Sequence, residues 1–74
     1  MEKIIEMLKD LHPDIDIESD SLIDDGILNS MDVVTLVTDI FNEFDVSVPA
    51  GEIVPENFNS ARAIWEMVER LLDE

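Results

Sequence analysis

Apolar residues recur at helical spacing in three parts of the chain, and this pattern predicts three main α-helices. The first helix is expected from Glu2 to Leu11, with charged residues on the side opposite its apolar face. That apolar face consists of Ile4, Ile5, Leu8 and Leu11. Pro13 ends the helix, because proline lacks the backbone N–H that a continuing helix needs.

The second helix is predicted from Ser30 to Phe44. Its apolar stripe is wide and is interpreted as facing the core; it consists of Val33, Val34, Leu36, Val37, Ile40, Phe41 and Phe44. We expect Ser30 to be the N-cap, because a serine oxygen can accept a hydrogen bond from a free amide of the first turn. Asp32 then lies in the first turn, where the helix dipole favours a negative charge.

Two more helices are predicted near the end of the chain. Pro55 can open a one-turn helix that ends at Phe58, since proline suits the first helical position. The last helix is expected to begin after Asn59 or Ser60 as its cap and to run to about Leu72. Its apolar face consists of Ala61, Ile64, Trp65, Val68, Leu71 and Leu72.

The connection from Asp14 to Asn29 is long for a compact domain, and such connections usually carry function. It is acidic in its first half. Its second half contains Leu22, Ile23, Ile27 and Leu28, which we expect to fix the connection onto the core. Three main helices plus one short helix predict an all-α fold, a small four-helix bundle in one domain that spans residues 1–74.

The net charge of the chain limits the classes of partner that it can bind. The chain has 19 acidic residues against four lysines and arginines, a formal net charge of −15 at pH 7. This excludes nucleic acid and direct insertion into anionic membranes, which need positive charge, and it favours proteins with basic surfaces. Strong like charge also favours a monomer. The chain has no cysteine and no recognisable signal peptide or membrane-spanning run, so a cytoplasmic location is expected.

The segment from Leu22 to Asp32, with the sequence LIDDGILNSMD, contains the most informative motif. It resembles the attachment motif of acyl and peptidyl carrier proteins, in which a serine lies where a long loop meets the second helix. The matching residues are Gly26, Ile27, Leu28, Ser30 and Met31. The FDVSVP turn (44–49) resembles the Phe-Gly-Val turn of the same family, and the Ser-Met pair and IVPENF (53–58) look most like stand-alone D-alanyl carrier proteins.

This resemblance covers nearly the whole chain and implies an acyl-carrier type of bundle with 4′-phosphopantetheine attached covalently to Ser30. A phosphopantetheinyl transferase would attach this arm from coenzyme A. An adenylating ligase or acyltransferase would load its thiol with an acyl or aminoacyl group, and a downstream acceptor enzyme would take the group over. The protein is then a carrier and not an enzyme by itself. Its cargo stays open among D-alanine, another amino acid, a fatty acyl group and a polyketide.

Several residues around Ser30 complete the predicted site. Asn29 stands where the family usually has Asp, so we expect slower modification, because a charge that a basic transferase could read is absent. Met31 suits either a core position or an apolar contact with a partner beside the arm, because methionine is adaptable. Thr35 and Thr38 occupy positions where family members often carry acids. Docking to partners is therefore assigned to Met31, Asp32, Asp39 and Glu43.

The alternative is an unmodified acidic helical docking module that binds a basic partner protein. Net charge fits this alternative equally well, whereas the match from Gly26 to Met31 disfavours it. A serine hydrolase would need a base beside Ser30, and the neighbouring sequence supplies none. His12, the single histidine, is interpreted as a structural residue that interacts with the dipole of the first helix.

No metal site is predicted. The acidic run from Asp14 to Asp20 resembles a calcium loop, but Ser19 stands where an EF-hand needs glycine. The run is interpreted as a solvated loop.

Overall fold

A computed structural model describes residues 1–73. Helix α1 spans Glu2–Leu11, α2 spans Ser30–Phe44, α3 spans Pro55–Phe58 and α4 spans Ala61–Leu72. These bounds confirm the predicted helices and the all-α bundle, and residues 1–73 contain no β-strand. A short 3₁₀ helix at Ala50–Glu52 was not predicted. Within the same residues, no helix combines the length and the apolar character needed to cross a membrane.

The core is built from the inner faces of α1, α2 and α4 together with Phe58 of α3 and residues from the connections. Its buried side chains are those of Ile4, Met7, Leu8, Leu22, Leu28, Leu36, Ile40, Val46, Phe58, Ala61, Ile64, Met67 and Val68. Leu22 and Leu28 are buried and Ile23 and Ile27 pack partly against the core, so the expectation that they fix the connection is confirmed. Burying such side chains drives folding because it removes apolar surface from water.

The wide apolar stripe of α2 is only partly covered. Leu36 and Ile40 are fully buried, but Val34 is 58% exposed and Phe41 is 51% exposed. The expectation that the whole stripe faces the core was therefore wrong for these two residues. The stripe is wider than the part of α2 that the rest of the bundle covers. Its edge, where Val34 and Phe41 lie, is therefore exposed to solvent.

Helices α1 and α2 are antiparallel, with an ion pair near one end and a histidine–carboxylate hydrogen bond near the other. Lys3 Nζ lies 3.4 Å from Glu43 Oε2, and His12 Nε2 lies 2.9 Å from Asp32 Oδ2. The histidine thus has a partner on another helix that its position beside Pro13 did not indicate. Exposed pairs of this kind contribute at most about 1 kcal/mol each, so they align the two helices more than they stabilise the fold.

Asn59 fixes the long connection to the junction between α3 and α4. Its side-chain Oδ1 accepts the backbone N–H of Ile23 at 2.9 Å and that of Asp24 at 3.2 Å. Its main-chain carbonyl accepts the N–H of Leu22 at 2.8 Å. The chain that leads to Ser30 is therefore fixed both by buried leucines and by hydrogen bonds, which satisfy backbone groups that lie outside regular structure.

Candidate functional site at the start of helix α2

Ser30 is the first residue of α2 and is exposed, while the residue before it caps the helix. Asn29 has extended backbone angles, φ −107° and ψ −177°, and its Oδ1 accepts the N–H of Asp32 at 3.0 Å. In return Asp32 Oδ2 accepts the N–H of Asn29 at 3.2 Å, which completes a capping box. The expectation that Ser30 is the N-cap was wrong, and the placement of Asp32 in the first turn is confirmed.

The capping box has a signal in the sequence. A capping box needs a side chain three residues after the cap that can accept the N–H of the cap residue. Asp32 meets this condition for Asn29, whereas Val33 cannot meet it for Ser30. Because Asn29 takes the capping role, the Ser30 hydroxyl is not used there, and no side chain among residues 1–73 hydrogen-bonds it.

Gly26 makes the turn that leads into the helix. Its φ is +74°, a left-handed conformation that residues with a Cβ rarely adopt. The Gly26 N–H donates to the carbonyl of Ile23 at 3.0 Å, and the Leu28 N–H then donates to the carbonyl of Leu22 at 2.9 Å. A Cβ on Gly26 would meet no atom within 4 Å, so this glycine is needed for its backbone angle and not for space.

An apolar groove with a volume of about 680 Å³ begins beside Ser30. Helix α2 contributes Val34, Val37 and Thr38 to its lining. Residues 53–55, just before α3, line it as well, and so does the buried ring of Phe58. The site thus joins an exposed serine to an uncharged and mostly apolar surface. That combination suits a group which is anchored at one end and uncharged along the rest of its length.

Asp32 gives the site a stabilised negative charge. Hydrogen bonding to His12 lowers the pKa of this carboxyl group, and the backbone N–H of Asn29 acts in the same direction. Desolvation opposes these effects but does not outweigh them. The Asp32 side chain is only 16% exposed, so its carboxylate interacts mainly with groups of the protein and is little accessible to a partner.

The predicted docking residues differ in accessibility. Met31 is 72% exposed, which makes it the most accessible large apolar residue of the site. Asp39 is half-buried, and Glu43 shares its charge with Lys3. Sequence reasoning assigned Val34 and Phe41 to the core, although both are exposed on the same helix as Met31. The width of the apolar stripe was the signal that could have identified them.

The two threonines of α2 make the exposed side of this helix less polar than their hydroxyl groups suggest. Thr35 Oγ1 donates to the carbonyl of Met31 at 3.1 Å, and Thr38 Oγ1 donates to the carbonyl of Val34 at 3.1 Å. Hydroxyls that bond to the backbone of the preceding turn are not available for strong contacts with a partner. The exposed side of α2 near Ser30 therefore carries little charge on a chain that is otherwise strongly acidic.

Comparison with known proteins connects this arrangement to one family. The chain is 34% identical over 71 residues to a D-alanyl carrier protein of Streptococcus sanguinis, which covers 93% of this chain and 90% of that protein. It is 36% identical over 56 residues to the D-alanyl carrier protein of Streptococcus mutans, covering 76% and 71% of the two chains. An aminoacyl carrier protein of Bradyrhizobium diazoefficiens is 47% identical over 47 residues, 64% of this chain and 51% of its own.

No family model and no solved structure matches the chain. The similarity to the streptococcal proteins nevertheless extends over nearly the full length of both chains. The helical bundle and the junction of the long loop with α2 at Ser30 agree with this family assignment. The chain is therefore a member of the carrier protein family that includes the D-alanyl and aminoacyl carrier proteins.

Proposed function

We propose that this carrier protein holds a 4′-phosphopantetheine arm on Ser30 and presents an acyl or aminoacyl group to partner enzymes. The arm supplies a thiol, on which the group is carried as a thioester. The observation that supports this best is the exposed Ser30 at the first position of α2, whose hydroxyl is not used in the helix cap because Asn29 makes that contact. The chain has no cysteine, so the thiol of a carrier has to come from a bound group.

The start of α2 suits a phosphodiester. The first amides of a helix lack partners within the helix and carry partial positive charge, so an anion attached to Ser30 meets a favourable environment. Asp32 lies in the same turn and would repel that anion. Its hydrogen bond with His12 Nε2 at 2.9 Å reduces the repulsion.

Attachment requires a bond exchange at phosphorus. The Oγ of Ser30 forms a bond to the phosphorus of coenzyme A that bears the pantetheine, and the pyrophosphate bond breaks. Adenosine 3′,5′-bisphosphate leaves, and the serine proton passes to a base. That base and the Mg²⁺ that balances the phosphate charge belong to the phosphopantetheinyl transferase, and Ser30 contributes the accessible nucleophile.

The groove beside Ser30 fits an arm of this kind. Its lining from α2 and from residues 53–55 is mostly apolar, and its volume of about 680 Å³ falls within the range of small-ligand pockets. Val34, Val37 and Ile53 would contact the uncharged part of the arm or a short acyl group. Thr38 offers a methyl group there, since its hydroxyl bonds to the Val34 carbonyl.

Partners would dock over the start of α2. We assign the central contact to Met31, with the exposed Val34 and Phe41 extending it along the helix. Of the acidic residues predicted to dock, Asp39 keeps that role, while Asp32 and Glu43 contribute less because each is already paired within the chain. The partners are a phosphopantetheinyl transferase, an adenylating ligase or acyltransferase that loads the thiol, and an acceptor enzyme.

D-alanine is the cargo that the relatives favour. The streptococcal relatives are named D-alanyl carrier proteins, and the Bradyrhizobium relative is named an aminoacyl carrier protein. We therefore place an aminoacyl group, D-alanine first, ahead of a fatty acyl or polyketide chain. In this role the protein presents a reactive group and leaves catalysis to its partners.

The test is the intact mass of the protein after incubation with coenzyme A, Mg²⁺ and a broad-specificity phosphopantetheinyl transferase. We expect the wild type to gain the mass of one phosphopantetheine group and Ser30→Ala to gain none. Ser47→Ala is the matched control, because Ser47 is an exposed serine outside the site, and it should be modified like the wild type. If the wild type and Asn29→Asp both stay unmodified, the carrier arm is refuted and the acidic docking module takes its place.

A further inference from the structure

His12 belongs to the end of α1 but contacts the first turn of α2. Its Nε2 lies 2.9 Å from Asp32 Oδ2, and the two residues are 20 positions apart in the chain. A carboxylate can only accept hydrogen bonds, so Nε2 is the atom that carries the shared hydrogen. The contact is therefore a directed tertiary interaction and not a local feature of either helix.

The backbone of His12 is fixed on both sides. Its N–H donates to the carbonyl of Leu8 at 3.0 Å, and its own carbonyl accepts the N–H of Ile15 at 2.9 Å. Leu8 is completely buried in the core. The imidazole ring is thus presented from a well-anchored end of α1, which allows it to restrain the group that it contacts.

Asp32 Oδ2 accepts hydrogen bonds from two donors. One is His12 Nε2, and the other is the backbone N–H of Asn29 at 3.2 Å. Asn29 Oδ1 in turn accepts the N–H of Asp32 at 3.0 Å, so these two residues close a ring of contacts around Ser30 and Met31. A carboxylate that His12 holds in place rotates away from the Asn29 amide less often. The ring then stays closed for a larger fraction of the time.

We propose that His12 is a positioning residue for Ser30. Through Asp32 it holds the first turn of α2 in the conformation that presents the serine for modification. The inference rests on the proposed function for the role of Ser30, but the restraint on α2 exists in the unmodified protein and can be measured there. Removing the ring leaves the capping box in place, so a partial effect is expected.

The experiment measures backbone amide hydrogen exchange by NMR on the unmodified protein and then the rate of modification by mass spectrometry. The variants are His12→Ala, which removes the donor, and His12→Gln, whose side-chain N–H₂ can reach a similar acceptor. Lys3→Ala is the matched control, since it breaks the ion pair between α1 and α2 at the far end of the helices. The Leu22 amide, which bonds to Asn59, serves as an internal reference outside α2.

We expect His12→Ala to speed exchange at the Asn29 and Asp32 amides and to slow modification, each by about two- to fivefold, the size of an exposed ion-pair contribution. His12→Gln should restore much of both, and Lys3→Ala should leave exchange at the Asn29 and Asp32 amides unchanged. Unchanged exchange in His12→Ala, or an equal change at the Leu22 amide, would overturn the inference. If the wild type itself is not modified, the proposed function fails, and the exchange data still decide whether His12 restrains α2.

Discussion

Phe44 and Trp65 lie against each other at the opposite end of α2 from Ser30, with ring centroids 5.7 Å apart and planes tilted by 53°. This contact joins the last turn of α2 to α4, and aromatic pairs of this geometry add to the stability gained from burial. Trp65 is the single tryptophan of the chain. Its fluorescence therefore reports on the packing of α2 against α4 from a position away from the modification site.

The first prediction concerns the cap of α2. Asn29→Ala should lower the free energy of unfolding by about 1 kcal/mol, because the N–H of Asp32 then loses its acceptor. Asn29→Asp should stay close to the wild type, since a carboxylate oxygen can accept the same N–H. Urea unfolding followed by Trp65 fluorescence measures both values.

Modification rates complete this test. Asn29→Asp should be modified faster than the wild type, because it restores the charge that the family usually carries beside the serine. Asn29→Ala should be modified more slowly, since the turn that presents Ser30 is then less ordered. Equal rates in all three proteins would mean that the cap has no influence on the modification of Ser30.

The second prediction is a pH dependence at Asp32. Hydrogen bonding to His12 and to the Asn29 amide lowers the pKa of this carboxyl group in the folded protein below its unfolded value. The resulting stabilisation is therefore complete above the unfolded pKa, near 4, and is lost as the pH falls through the lower folded value. The difference in stability between wild type and Asp32→Asn should be fully present above about pH 4 and should shrink as the pH falls below that value.

Asp39→Asn is the control for this pH dependence, because it removes one negative charge from the same helix without touching the His12 contact. Its difference from the wild type should not reproduce the Asp32 profile. A stability difference for Asp32→Asn that stays constant from neutral to acid pH would contradict the assigned cause.

The third prediction concerns the end of α2. Asp45 has φ 56° and ψ 39°, the left-handed conformation in which glycine is favoured, and α2 has no basic residue in its last turn. Asp45→Gly should raise the free energy of unfolding by about 0.5 to 1 kcal/mol, because it relieves the strain and removes a negative charge from the negative end of the helix dipole.

Asp45→Asn separates these two causes, since it removes the charge and keeps a side chain. It should give only part of the increase in the free energy of unfolding. Circular dichroism during urea unfolding is the suitable measurement, because Asp45 adjoins Phe44 and could alter the fluorescence of Trp65. A loss of stability in Asp45→Gly would show that the aspartate makes a stabilising contact of its own.

The fourth prediction concerns salt. A net charge of −15 on a chain of this size opposes folding through self-repulsion, and salt screens charges that are more than about 10 Å apart at 0.1 M. The melting temperature should therefore rise between low and physiological ionic strength, with divalent cations more effective than sodium. The weakening of the Lys3–Glu43 pair by salt acts in the opposite direction but is the smaller effect. A constant melting temperature would contradict the prediction that screening of self-repulsion is the larger effect.

The helices could be predicted because local signals mark their ends. Pro13 and Pro55 restrict where helices can continue or begin, and the N-terminal side of α4 carries Ser60, whose Oγ accepts the N–H of Ala63 at 2.9 Å. The start of α2 at Ser30 was also predicted from local sequence features. These features depend on neighbours within a few residues, which is the range over which sequence patterns carry structural information.

The contacts of the candidate site were less accessible to prediction. His12 and Asp32 are brought together only by the antiparallel packing of α1 and α2, and no spacing rule relates residues so far apart. The exposure of Phe41 depends on how much of α2 the neighbouring helices cover, which is a property of the assembled fold. The misassigned cap is a different case, since Asn29 and Asp32 have the spacing of a capping box and local reasoning could have found it.

The hydrogen bonds of Asn59 have a consequence for the order of events during synthesis. The connection that leads to Ser30 is fixed by a residue that follows Ile23 by 36 positions and is therefore synthesised well after it. Until Asn59 has been synthesised and has left the ribosome the connection lacks this partner, and until α4 has followed it lacks much of its core. We therefore expect the site to be incomplete until the residues through α4 have emerged, so that a transferase acts only after this part of the chain has folded.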